Sequence, residues 1–171
     1  MAKKSSATKI IVRTVHSDKN LWTVHYGTLK RAKGNPGAIH LFKVVAEKLP
    51  ITALKDVKKD FLKEKWSPQG VYIAHDSMGF PRYIGRGNIF NRLESRINAQ
   101  KLELAYFSFY LVSNKKHERE IETILIRAAG TLLEFNSRKK RVGILPGAIM
   151  DFEAGTFFYE RHYKKGKKVK K

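Results

Sequence analysis

Between Gly70 and Arg96 the spacing of apolar and polar positions changes period, and the change predicts three elements in a row. In "GVYIAH" the alternation places Val71 and Ile73 on one side of an extended strand and Tyr72 on the other. "DSMGFP" breaks that pattern with Gly79 and Pro81, which predicts a turn and a second, antiparallel strand carrying Tyr83. From Asn88 the period lengthens: Ile89, Phe90, Leu93 and Ile97 recur at helical spacing, with Asn88 as the cap and Arg92 and Arg96 four residues apart on one face. A third strand is predicted in "LAYFSFYLV" and a further helix from about Lys116 to Ala129.

The flanks read differently. "KIIVRTVHSDKNLWTVHYGTLK" alternates in two short runs separated by "SDKN", which predicts a hairpin whose own core Trp22 and Tyr26 would cover. "AIHLFKVVAEKLP" has apolar residues at Ile39, Leu41, Phe42, Val45 and Leu49, a helical spacing stopped by Pro50, and a second helix is expected in "ITALKDVKKDFLKEKW". "GTFFYERHY" reads as a strand added at an edge, and the tail "KKGKKVKK" is too charged and too poor in apolar residues to fold. The expectation is one α+β unit. A three-stranded antiparallel sheet with flanking helices (67–137) would be extended by a basic N-terminal hairpin with two helices (1–66) and a basic C-terminal strand and tail (138–171).

Charge changes the picture from fold to partner. The chain has 35 Lys and Arg against 15 Asp and Glu, a net charge of +20, far beyond what solubility needs, so a polyanion is the expected partner. By segment the balance is +10, +2 and +8, a nearly neutral middle between two basic flanks. That division suits a module with specific charges, held on phosphate by its surroundings. No apolar run approaches the roughly 20 residues of a spanning helix, and the first residues contain no signal-peptide core. The expected setting is therefore intracellular: a cytoplasmic protein with no membrane partner. Without cysteine there is no thiolate nucleophile or thiolate zinc site. His75, in the predicted turn, and His117 lack a second ligand at metal spacing and read as surface residues.

The residues between 68 and 137 resemble the GIY-YIG nuclease family. "GVY" (Gly70, Val71, Tyr72) stands for the first signature triplet and "YIG" (Tyr83, Ile84, Gly85) for the second. Arg92 matches the arginine of the following helix, and "ETILIRAAGTLLEFN" supplies the later glutamate and asparagine as Glu122 and Asn136. The chain departs from many members at Arg86, where lysine is frequent, and at Arg96, where some carry tyrosine or histidine.

The resemblance implies divalent-metal-dependent hydrolysis of DNA phosphodiester bonds by an endonuclease of restriction, homing or repair type. Glu122 would hold one Mg²⁺ or Mn²⁺, with Glu118 on the same face as the alternative ligand. Arg92 would bind the scissile phosphate, and Tyr72 or Tyr83 would orient or deprotonate the attacking water. A phenol with a reference pKa of about 10 needs a nearby cation for that task, and Arg82 or Arg86 could be it. Arg86, Arg96, Asn136 and the run Arg138, Lys139, Lys140, Arg141 would contact the substrate. One module offers one site for one strand, so duplex cleavage implies a homodimer, sequential nicking or turnover on DNA. The reading from a different class is a non-catalytic nucleic-acid-binding protein, ribosome-associated or architectural, on the same scaffold.

Overall fold

The computed structural model describes residues 12–19, 21–28, 40–99, 103–130, 133 and 157–163. Its strands are β1 (Val12–Ser17), β2 (Trp22–Thr28), β3 (Phe42–Pro50), β4 (Gln69–His75), β5 (Pro81–Asn88), β6 (Tyr106–Val112) and β7 (Phe157–Tyr163). Three helices accompany them: α1 (Leu54–Lys63), α2 (Ile89–Asn98) and α3 (Glu118–Ala129). The architecture is α+β, with all seven strands in one sheet of order β1-β2-β7-β3-β6-β4-β5. Every pairing is antiparallel except that of β3 with β7.

The three strands expected for the middle of the chain form one end of this sheet, with β4 between β5 and β6. They do not stand alone, because β3 from the N-terminal segment pairs with β6 and β7 from the C-terminal segment pairs with β3. Two apolar layers follow from the strand alternation. On one face Tyr72, Ala74, Phe107 and Phe109 pack against Leu54, Val57 and Phe61 of α1 and Ile89, Phe90 and Leu93 of α2. On the other, Ile73, Ile84, Val45 and Tyr110 pack against Ile126 of α3. The Phe61 ring meets Phe90 edge-on at 4.9 Å between centroids, locking α1 to α2.

Two flank expectations are corrected. The first predicted helix is strand β3, and its sequence misleads for a physical reason. Val44, Val45 and Ala46 are all buried, because β3 lies inside the sheet with layers on both faces, so no alternation survives. A register shift between Ala46 and Leu49, with Lys48 at φ 49°, then places Leu49 at a spacing that imitates a helix. The N-terminal segment accordingly has one α-helix among its described residues rather than two. The C-terminal strand is the second correction: β7 sits inside the sheet between β2 and β3, and Tyr159 is fully buried. Tyr26 packs between Trp66 and Tyr159 and so does cover a core, but one shared with β7.

A buried polar cluster fastens this end. Asp60 of α1 accepts from Tyr159 Oη at 2.7 Å and from the Arg13 guanidinium of β1, which also reaches Glu64 at 2.8 Å and lies over the Tyr26 ring. Strands from both flanks are thereby tied to one carboxylate.

Candidate active site

The predicted turn forms between β4 and β5, and Asp76 organises it. Its Oδ1 accepts from the amides of Met78 and Phe80 at 3.0 and 2.9 Å, and its Oδ2 accepts from Arg82 Nε at 2.7 Å. Gly79 takes the left-handed φ of 83° that closes the turn, and its amide donates to Asp76 O at 3.0 Å. His75 is not a surface residue. It ends β4 buried, with Nδ1 3.1 Å from Gly79 O and Nε2 2.8 Å from Ser108 Oγ, so the ring braces the hairpin against β6. His117 is exposed, as expected, and pairs with Glu120 at 3.0 Å.

This hairpin puts Tyr72 opposite Gly85. The absence of a side chain at Gly85 is what the arrangement needs: a Cβ there would stand 2.6 Å from Tyr72 Oη and 2.9 Å from Tyr83 Cε1. Gly70, the glycine of the other triplet, is equally constrained, since its Cβ would lie 2.6 Å from the Tyr110 carbonyl oxygen. The rings of Tyr72 and Tyr83 are 5.9 Å apart between centroids and tilted by 34°.

Helix α2 completes this face. Asn88 caps it by accepting from Asn91 N at 3.1 Å, as predicted, and the buried stripe of Ile89, Phe90 and Leu93 fixes its rotation. That rotation turns Arg96 onto the ring of Tyr83, with the guanidinium carbon 4.2 Å from the centroid, while Arg92 is exposed. Burial pushes the Tyr72 phenol well above its ordinary value and the Tyr83 phenol adds to the rise, with Arg92 and Arg96 opposing it. Two guanidiniums therefore converge electrostatically on two phenols, and Tyr72 keeps its proton near neutrality.

The cations nearest in sequence have other partners. Arg82 is bound to Asp76 at the turn, and Arg86 Nε lies 3.4 Å from Glu122 Oε2. Arg86 and Ile84 alternate with Tyr83 and Gly85, so the Arg86–Glu122 pair belongs to the α3 side of β5 and the phenols to the α2 side. Among the described residues β5 is the last strand of the sheet, and both groups flank that edge. Glu122 is 14% exposed at its side chain, whereas Glu118, the alternative ligand, is buried at the start of α3. Among the described residues no three His, Cys, Asp or Glu side chains cluster. Glu122 would supply one oxygen ligand to a hydrated hard cation, the rest being water and phosphate oxygens, and the Arg86 guanidinium now at 3.4 Å would have to give way to it.

Asn136, Arg138, Lys139, Lys140 and Arg141 lie outside the described residues, as does the tail after Tyr163. Asp76 and Ser108 were not singled out by the sequence; the signal for Asp76 was its place before Gly79 and Pro81, where an Asx turn forms readily. No described helix is long and apolar enough to cross a membrane. Compared with family models, with curated proteins and with solved structures, the chain matches none.

Proposed function

We propose that the protein is a divalent-metal-dependent DNA endonuclease of GIY-YIG type, hydrolysing a phosphodiester at the β5 end of the sheet. The observation that carries the reading is the seat of Tyr72. Its buried hydroxyl lies where Gly85 leaves room, against a second phenol, and faces Arg92 and Arg96 rather than a carboxylate.

In this reading each group has a separable task. Arg92, exposed, binds the non-bridging oxygens of the phosphate with its planar fork. Tyr72 holds its proton and donates a hydrogen bond, while half-buried Tyr83, under Arg96, is the phenol that meets the attacking water. Glu122 would hold Mg²⁺ or Mn²⁺, which when bound neutralises phosphate charge and eases departure of the leaving oxygen. Arg86 steers the Glu122 carboxylate from the same side. Asn136 and the run from Arg138 to Arg141 remain proposed DNA contacts.

The second reading, a nucleic-acid binder without catalysis, draws on one observation: Glu122 is paired with Arg86 across β5 from the phenols. Supercoiled plasmid incubated with Mg²⁺, Mn²⁺ or chelator separates the two. The expected outcome is metal-dependent nicking, reduced about 10²- to 10⁴-fold in Tyr72→Phe and in Glu122→Ala. Glu122→Ala cutting at the wild-type rate overturns the metal assignment. Absence of cutting with salt-sensitive binding retained favours the second reading.

A further inference from the structure

Helix α1 carries two rows of charge, and the fold treats them in opposite ways. Asp56, Asp60 and Glu64 recur at intervals of four, and so do Lys55, Lys59 and Lys63 one residue earlier. In isolation the rows would largely offset one another as neighbours on a helix. Here the acidic row is turned towards β1 and engaged there: Asp56 with His16 Nδ1 at 2.8 Å, Asp60 with Arg13 and Tyr159, and Glu64 with Arg13 at 2.8 Å. His16 hydrogen-bonds Asp56 and holds its carboxyl below the usual range, with Lys59 adding to the effect and burial opposing it. Lys55, Lys59 and Lys63 are all exposed; the Lys59 ammonium touches Asp56 only at 3.4 Å, with its side chain 78% exposed.

The neighbouring surface extends this ridge towards the site. Lys58 Nζ holds Glu94, the acid of α2, at 2.9 Å and fastens the two helices together. The solvent side of α2 then presents Asn91, Ser95 and Asn98, all uncharged and exposed, before Arg92 is reached. The Lys58–Glu94 pair and the Phe61–Phe90 contact hold α1 against α2, so the lysine row and Arg92 lie on neighbouring helices of the same face of the sheet. Successive lysines are separated by about 6 Å of helix, roughly two of the ~3.4 Å axial steps by which one strand of duplex DNA carries its charges.

We propose that the exposed row Lys55, Lys59, Lys63 of α1 is a phosphate-binding ridge for duplex DNA, holding the backbone a few nucleotides from the bond addressed at β5. Its position relative to the scissile bond rests on the nuclease reading; its binding of DNA does not. The ridge belongs to the N-terminal segment, which gives that segment's charge a location and an orientation.

The test measures binding of the full chain to a short labelled DNA duplex by fluorescence anisotropy across a salt series, with chelator present so that nothing is cut. K55Q/K59Q/K63Q is compared with K115Q/K116Q/R119Q, which removes the same charge from exposed residues just before and at the start of α3. The expected result is an affinity at least about tenfold weaker for the α1 variant, with the log–log salt slope reduced by about 0.9 for each phosphate that the ridge no longer neutralises. The α3 control should change much less, and K55R/K59R/K63R should retain the slope. Equal weakening in both glutamine variants, or an unchanged slope in the α1 variant with its thermal melt intact, overturns the proposal. A protein that never cuts plasmid but shows this selective weakening keeps the ridge and loses the nuclease.

Discussion

Tyr72 and Tyr159 are both fully buried, and burial raises both phenols above their ordinary value. They differ in what the hydroxyl meets. Tyr159 donates to the Asp60 carboxylate, which in turn takes Arg13, so its polar atom closes a network inside the core. Tyr72 meets another phenol under two guanidiniums, on a glycine, beside β5, the last described strand of the sheet. Burial of a tyrosine is therefore not what marks a site. Tyr110, buried and donating to Glu47 at 3.1 Å, falls with Tyr159. The difference is a polar atom whose neighbours are guanidiniums rather than a carboxylate, an arrangement suited to an anion.

The comparison is broken most severely at Asp60. Asp60→Ala leaves a buried hydroxyl and part of a guanidinium without their acceptor, with an expected destabilisation of about 3 kcal/mol or more in urea unfolding. A value below about 1 kcal/mol, the ordinary scale of one hydrogen bond, would mean that the cluster does not fasten α1, β1 and β7 together. Removing single hydroxyls sharpens the contrast. Tyr159→Phe is expected to cost about 2 kcal/mol, since its partner is a buried carboxylate, and to leave DNA binding unchanged. Tyr72→Phe should cost under about 1 kcal/mol, because its hydroxyl has no carboxylate to strand, while slowing nicking about 10²- to 10⁴-fold. The reverse ranking of the two stabilities would remove the distinction between them.

The smallest expected effect is a pH dependence at the hairpin. Burial opposes ionisation of Asp76, but the Phe80 amide, Arg82 and the Met78 amide outweigh it and hold the carboxyl below its usual range. A depressed folded-state value stabilises the protein above the unfolded carboxylate pKa of about 3.9, and that stabilisation disappears as pH falls through the lower folded value. Melting temperature should therefore decline on acidification below about pH 4. Asp76→Asn, with no charge to lose there, should flatten that part of the profile; an unaltered profile would place the acid sensitivity elsewhere.

Much of the candidate site was legible because it is local. A turn at Gly79 and Pro81, strand alternation at Tyr72, and a cap at Asn88 followed by a 3.6-residue period suffice to put Tyr72, Tyr83, Arg92 and Arg96 on one face. The glycines of both triplets acquired a reason only with the neighbouring strands present, Gly70 against the Tyr110 carbonyl and Gly85 against Tyr72 Oη. Glu122 was found as a residue but not as a partner, since its pairing with Arg86 depends on how α3 crosses β5.

What the sequence alone determined, then, is the periodicity of the middle segment, the α+β class, the excess of positive charge and the order of the chemistry-bearing residues. All of these follow from neighbours along the chain. The tertiary structure decided that Phe42–Pro50 is a strand, because a segment covered on both faces loses its period. It placed β7 inside the sheet, where its pairing with β2 and β3 spans large sequence separations. It also decided which charges of α1 reach solvent: β1 and β7 occupy the carboxylates and leave the lysines, which no reading of the helix by itself could separate.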